Sequence, residues 1–216
     1  MTLALLHTSP VHVRVFDALR DTDHPGLALR HVVDEGLLER ARTAGPDAVA
    51  DDVRALLETV VADRADAVLC TCSTIGGVAE AQSAAVGVPV LRVDRPMAAA
   101  AVETGRAVAV VAALESTLAP TVALVEEEAA RAGRPVAVRT VLVAGAWERF
   151  EAGDQDGYRD LVAAAVDALT DVDVVLLAQA SRAPAADRTT ATVPVLSSPR
   201  PGLRAAADNT AYAEPS

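Results

Sequence analysis

The sequence contains no lysine: all 19 of its basic side chains are arginine. Pyridoxal phosphate enzymes hold their cofactor as a lysine Schiff base, and phosphate loops of the GKS/GKT type set a lysine on the phosphates, so both chemistries are excluded. Cysteine is scarce. Cys70 and Cys72 are its two copies, too close in the chain for an ordinary disulfide framework. Long apolar runs are missing as well, since MAAAAVETG and LVAAAVDAL are both interrupted by charge, so no membrane partner is expected. Positive charge is in deficit: the net charge of −11 argues against a nucleic-acid surface, which needs clustered cations. The stretch TLALLH is too short for the apolar core of a signal peptide and has no basic run before it, so a reducing cytoplasm is the expected setting.

What remains is a chain of 216 residues, 51% hydrophobic and 23% charged, enough for one medium globular domain or two small lobes. Short β-branched or Leu-rich runs alternate with longer Ala/Glu/Arg segments, the pattern of a parallel sheet covered by helices. The strands are expected at 3–7, 29–34, 66–72, 88–93, 107–113, 136–143, 173–179 and 193–198, buried on both faces. Helical spacing with acids in the first turn marks 46–64, 116–133 and 154–170.

The second half echoes the first. VPVLRVDRPM (88–97) and VPVLSSPRPG (193–202) share V-P-V-L-x-x-x-R-P, and each is preceded by an apolar strand ending in small polar residues, DAVLCTCST and DVVLLAQAS. The fold expected is therefore α/β with two pseudo-symmetric lobes, each a parallel sheet flanked by helices. The first lobe spans 1–97, with a C-terminal helix at about 200–208 packing back on it. The second spans 98–199, and 209–216 forms a frayed tail. In open parallel sheets ligands sit beyond the carboxyl ends of the strands, so the turns there, facing a cleft shared by the lobes, are where function is sought.

Cys72 leads the candidates. It falls at the end of the third strand and is followed by Ser73, Thr74 and a small-residue turn, Ile75-Gly76-Gly77, that opens into the helix VAEAQSAAV. Helix amides and the positive dipole end would favour a thiolate there, and with Ser73 and Thr74 could hold a carboxylate. The plain alternative is a small buried apolar residue, which is the expectation for Cys70, one pleat deeper. A Cys-x-Cys metal pair lacks histidines at ligand spacing, so no metal is expected; a thiol redox pair is a further alternative. Ser9 and Pro10 after the first strand, and Thr117 after its second-half counterpart, suit a small carboxylate, with helix capping as the rival role and the favoured one for Ser116. His7 ends the first strand as a possible second acid or base, or as a structural histidine; His12, His24 and His31 show no companions in sequence.

The segments HTSP, LCTCSTIGG and VPVLRVDRPM, in this order and with the two-lobe echo, resemble the aspartate/glutamate/hydantoin racemase superfamily over roughly residues 3–205. The resemblance implies two pseudo-symmetric α/β lobes with the active site between them, no cofactor, and a homodimer or higher homo-oligomer. It also implies two cysteines, one per lobe, acting as acid and base on a carbon beside a carboxylate. The first maps onto Cys72-Ser73-Thr74. The second would fall in LLAQASRAP, aligned at Ala180 between Gln179 and Ser181, which could bind substrate but are poor bases. That departure leaves one-thiol chemistry: Cys72 as sole proton donor and acceptor, as in related malonate decarboxylases, or as nucleophile, as in related maleate isomerases. The expected activity is a cofactor-independent isomerase or lyase on a small carboxylate or carbonyl substrate, or, alternatively, a non-catalytic carboxylate-binding protein.

Overall fold

The computed structural model describes residues 2–178 and 185–212. The chain divides into two compact units, Met1–Asp94 together with Pro199–Ser216, and Arg95–Ser198.

In the first unit β1 (Thr2–His7) leads through α1 (Val11–Asp23) to β2 (Ala28–Val33). Next come α2 (Glu35–Ala44), a 3-10 turn at Pro46–Val49 and α3 (Ala50–Ala62), then β3 (Ala67–Cys70). α4 (Ser73–Glu80) and α5 (Ser83–Val86) precede β4 (Val90–Arg92). All pairings are parallel, in the order β2-β1-β3-β4. Strand alternation sends Leu3, Leu5, Ala67 and Leu69 to one face, where Phe16, Leu203 and Ala206 cover them. Ala4, Leu6, Val68 and Cys70 face the other way, onto Leu37, Val53, Leu57 and Ile75. Each leucine buried completely in this way contributes about 2 kcal/mol.

The second unit repeats the plan. α6 (Arg95–Thr104) and β5 (Ala107–Ala112) come first, then a 3-10 turn at Glu115–Thr117, α7 (Leu118–Arg131) and β6 (Ala137–Leu142). α8 (Ala146–Glu151), α9 (Gln155–Asp167), β7 (Val174–Leu177) and β8 (Val195–Ser197) complete it, with parallel order β6-β5-β7-β8. α10 (Pro199–Tyr212) belongs to the first unit and continues beyond the expected end near 208.

The echo read from sequence has a hydrogen-bond counterpart. The carbonyl of Pro89 accepts from Val68 N at 2.9 Å and that of Pro194 from Val175 N at 2.9 Å. Asp66 Oδ2 accepts from Thr2 N (2.6 Å) as Asp173 Oδ2 accepts from Ala107 N (2.8 Å), so an aspartate clamps the start of the first strand in each unit. The eight expected strands and the α/β class are present, with one correction: β2 and β6 are not buried on both faces. They are edge strands, as β4 and β8 are at the other side of each sheet, and alternate between exposed and half-buried positions; β8 is half-buried throughout.

Candidate active site

β3 ends at Cys70, and the ladder carries on for one more bond, from Thr71 N to the Leu6 carbonyl at 3.0 Å. Cys72 keeps an extended backbone (φ −106°, ψ 115°), and the next residue already starts α4. The stretch 75–77, expected as a turn before a helix, is therefore part of the helix itself, which begins at Ser73 and makes Cys72 its N-cap. The start of a helix leaves its first amides without intrahelical acceptors and carries partial positive charge. The Cys72 side chain makes no capping bond to them. Ser73 and Thr74, in the first turn, are both buried, and Ser73 Oγ has no hydrogen-bond partner.

The two thiols differ in surroundings. Cys70 is fully enclosed, its Sγ donating to the Cys72 carbonyl at 3.7 Å, and burial, with Cys72 beside it, pushes its thiol up out of the range in which it ionises near neutrality. It is a core residue. Cys72 is buried as well, at 8% exposure, and packs in the same core cluster. Both are free cysteines.

α4 is seated by a buried ion pair. Arg92, at the end of β4, donates from Nε and Nη2 to the two carboxylate oxygens of Asp94 at 2.7 and 3.0 Å, with both side chains buried. A Cβ on Gly76 would lie 3.1 Å from Arg92 Cβ and 3.2 Å from its Nε, so this helical glycine exists to let the arginine lie against the helix. Arg95, the neighbour of Asp94, turns away to Glu127 and Glu128 on α7.

Ser9 is half-buried and Pro10 exposed, at the entry to α1, where their carbonyls accept from His12 N and Val13 N. Thr117 is buried at the start of α7 and its carbonyl accepts from Thr121 Oγ1 at 2.8 Å. Neither Ser116 nor Thr117 makes a side-chain cap, and Ser116 Oγ has no partner. Gln179, Ala180 and Ser181 lie outside the described residues.

His7 has the companions that the sequence conceals. Its Nδ1 is 2.8 Å from Thr71 Oγ1 and its Nε2 2.8 Å from His31 Nδ1, while His31 Nε2 is 3.3 Å from Asp17 Oδ1. Burial, then the nearby His12 and His31, lower the His7 pKa to about 3; burial lowers that of His12 to about 4. Both rings are neutral at physiological pH, His7 with each nitrogen engaged and His12 with Nδ1 unpartnered. Of the five described side chains with an unpartnered buried polar atom, four (His12, Ser73, Ser116 and Ser198) follow within a few residues of a strand's carboxyl end. Buried polar atoms are normally satisfied, and these exceptions gather near the carboxyl ends of the strands. Among the described residues no group of three or more His, Cys, Asp or Glu side chains could hold a metal ion.

Strand register gives each of these residues a counterpart. Cys70 stands in β3 where Leu177 stands in β7, and Thr71 N bonds Leu6 O as Ala178 N bonds Val111 O, both at 3.0 Å. Likewise His7 corresponds to Ala112 and Arg92 to Ser197.

The fold defines a class of two-unit α/β proteins that includes racemases and a decarboxylase. The sequence model of the Asp/Glu/Hydantoin racemase family matches residues 12–206, and the chain belongs to that family. Among solved structures it is similar to the aspartate racemase of Picrophilus torridus (13% identity, 97% of this chain and 94% of the other, TM-score 0.72). It is also similar to the allantoin racemase of Klebsiella pneumoniae (15%, 98% and 88%, TM-score 0.63) and to arylmalonate decarboxylase (19%, 99% and 94%, TM-score 0.62). No curated protein matches the sequence.

Proposed function

We infer that the protein is a cofactor-independent isomerase or lyase that acts on a small substrate at the carbon beside a carboxylate or related carbonyl, with Cys72 as the reacting thiol. The observation that carries this reading is the placement of Cys72 as N-cap of α4, with the unpartnered Ser73 hydroxyl next to it. Helix amides there suit a carboxylate, and Ser73 and Thr74 would orient it; Ser9, Pro10 and Thr117 stand at other strand ends of their units. In a decarboxylation, loss of CO2 leaves an enolate whose carbon takes the Cys72 proton, and the thiolate is then reprotonated from water. In a cis–trans isomerisation the thiolate adds to the activated double bond and leaves after rotation.

A racemase using a thiol from each unit is disfavoured, because both cysteines of the chain, Cys70 and Cys72, lie in the first unit. The same observation favours a second reading, a carboxylate-binding protein without turnover. Free cysteines fit a reducing cytoplasm, and family membership makes a homo-oligomer the working assembly. Proton exchange at the α-carbon of amino acids, hydantoins and malonates in heavy water separates enzyme from binder: turnover or exchange that is lost in Cys72→Ala supports the first reading, and saturable binding without either supports the second.

A further inference from the structure

Four side chains of the first unit connect the end of β3 to the outer side of α1. Thr71 follows β3, His7 ends β1, His31 lies in β2 and Asp17 in α1. Their contacts run in series: Thr71 Oγ1 to His7 Nδ1 at 2.8 Å, His7 Nε2 to His31 Nδ1 at 2.8 Å, and His31 Nε2 to Asp17 Oδ1 at 3.3 Å. A neutral imidazole has one donor and one acceptor nitrogen, so the proton at each link fixes the next.

Two arrangements satisfy every link. In one, the Thr71 hydroxyl donates to His7 Nδ1, His7 donates from Nε2 to His31 Nδ1, and His31 donates from Nε2 to Asp17. In the other, Thr71 points its proton at the Leu6 carbonyl, 3.1 Å away. His7 then donates from Nδ1 to Thr71 Oγ1, and His31, protonated on both nitrogens, donates to His7 Nε2 and to Asp17. The second arrangement holds one proton more than the first. That proton's charge sits on His31 beside the Asp17 carboxylate, while His7 stays neutral and only exchanges its tautomer. We propose that Thr71, His7, His31 and Asp17 form a two-state proton relay, in which protonation of His31 reverses the His7 tautomer and turns the Thr71 hydroxyl from His7 to the Leu6 carbonyl.

The surroundings put the charge at His31. His7 is completely enclosed and held well below the usual histidine range by burial, so it cannot carry the charge itself. The His31 side chain keeps 16% exposure and that of Asp17 40%. On α1, Asp17 also meets Arg20 at 3.4 Å, and the buried His12 ring lies 6.1 Å from His7. Arg14 on α1 is exposed, and other charges on the elements packed around the relay have partners of their own. Arg30 on β2 pairs with Asp63, Asp66 before β3 accepts from Thr2 N, Arg92 pairs with Asp94 after β4, and Arg200 of α10 pairs with Asp23 at the far end of α1.

The relay ends one residue before Cys72, so its members are positioning residues for that strand end; its existence does not depend on the reaction proposed above. The test is the ¹⁵N signals of the imidazole nitrogens of the full-length protein across a pH titration. His7 is expected to remain neutral throughout, with its proton on Nε2 above the His31 titration and on Nδ1 below it, both residues sharing one midpoint. Asp17→Asn lowers that shared midpoint by about one pH unit, since it removes the carboxylate beside the charged ring. Thr71→Val lowers it in the same direction by leaving the His7 Nδ1–H without an acceptor, and Thr71→Ser restores it. A His7 that keeps one tautomer at every pH, or that itself becomes imidazolium as His31 does, overturns the proposal. If Thr71→Val does not fold, the exposed Asp17→Asn decides alone, and an unmoved midpoint overturns it.

Discussion

Two residues separate Cys70 from Cys72, and one pleat together with one helix start makes them different chemical groups. Cys70 is walled in by the core between β3 and α4, where ionisation is opposed by burial. Cys72, though buried too, stands at the N-terminal end of the α4 dipole. The histidines carry a consequence for stability at this scale. His12 is neutral in the folded protein down to about pH 4 but takes a proton at its ordinary value of 6.5 when unfolded. The unfolded chain therefore binds more protons between those values, and stability that is complete above pH 6.5 is lost as pH falls through that window. Between pH 7 and pH 5 this group costs about 2 kcal/mol. Urea unfolding at the two pH values should show the wild type losing about that much more than His12→Gln; equal losses would contradict a buried neutral His12. Cys72 was legible in the sequence because a thiol followed by Ser-Thr and two glycines at a strand end is chemically distinctive. The His7–His31–Asp17 series was not, since its members lie on β1, β2 and α1 and meet only through parallel pairing and helix packing.

At the scale of elements, buried strands announce themselves and half-covered helices do not. All eight strands follow from their apolar runs. α1 was missed because Val-His-Val-Arg-Val-Phe alternates with period two, as a strand would, while its buried contacts come down to His12 and Phe16 and its first turn has no acid. The start of α4 was misplaced because two glycines read as a turn, whereas Gly76 answers a tertiary demand, the close approach of Arg92. Gly76→Ala sets two effects against each other: alanine gains up to about 1 kcal/mol of helix propensity, and the added methyl crowds an arginine held in place by Asp94. Overpacking of this kind typically costs about 1–3 kcal/mol, so a net loss is expected in denaturant unfolding, and a gain would show that Arg92 gives way freely. The return of α10 to the first unit depends on a closer contact, for a Cβ on Gly202 would stand 2.4 Å from the Val93 carbonyl oxygen. Backbone cannot retreat as a side chain can, and Gly202→Ala should cost about 3 kcal/mol or dislodge α10. Unchanged stability together with unchanged protease resistance of the C-terminal segment would contradict that packing.

For the whole molecule, two units share one strand plan but not one chemistry. Each has the same sheet order, the same prolyl carbonyl bond and the same aspartate clamp. Yet where the first unit has His7, Thr71 and Arg92, the second has Ala112, Ala178 and Ser197 at the matching register positions. The duplication was readable from V-P-V-L-x-x-x-R-P, because strand and turn residues are fixed by backbone needs that both halves share. One-sided chemistry at a single thiol is the central claim, and deuterium incorporation from heavy water at the substrate α-carbon tests it most directly, run on amino-acid, hydantoin and malonate candidates with wild type and Cys72→Ala. The account predicts exchange or turnover of at least one candidate by the wild type, reduced roughly 100-fold or more in the variant with its unfolding curve unchanged. Equal exchange by wild type and variant, or none by the wild type with a candidate it binds saturably, would contradict it.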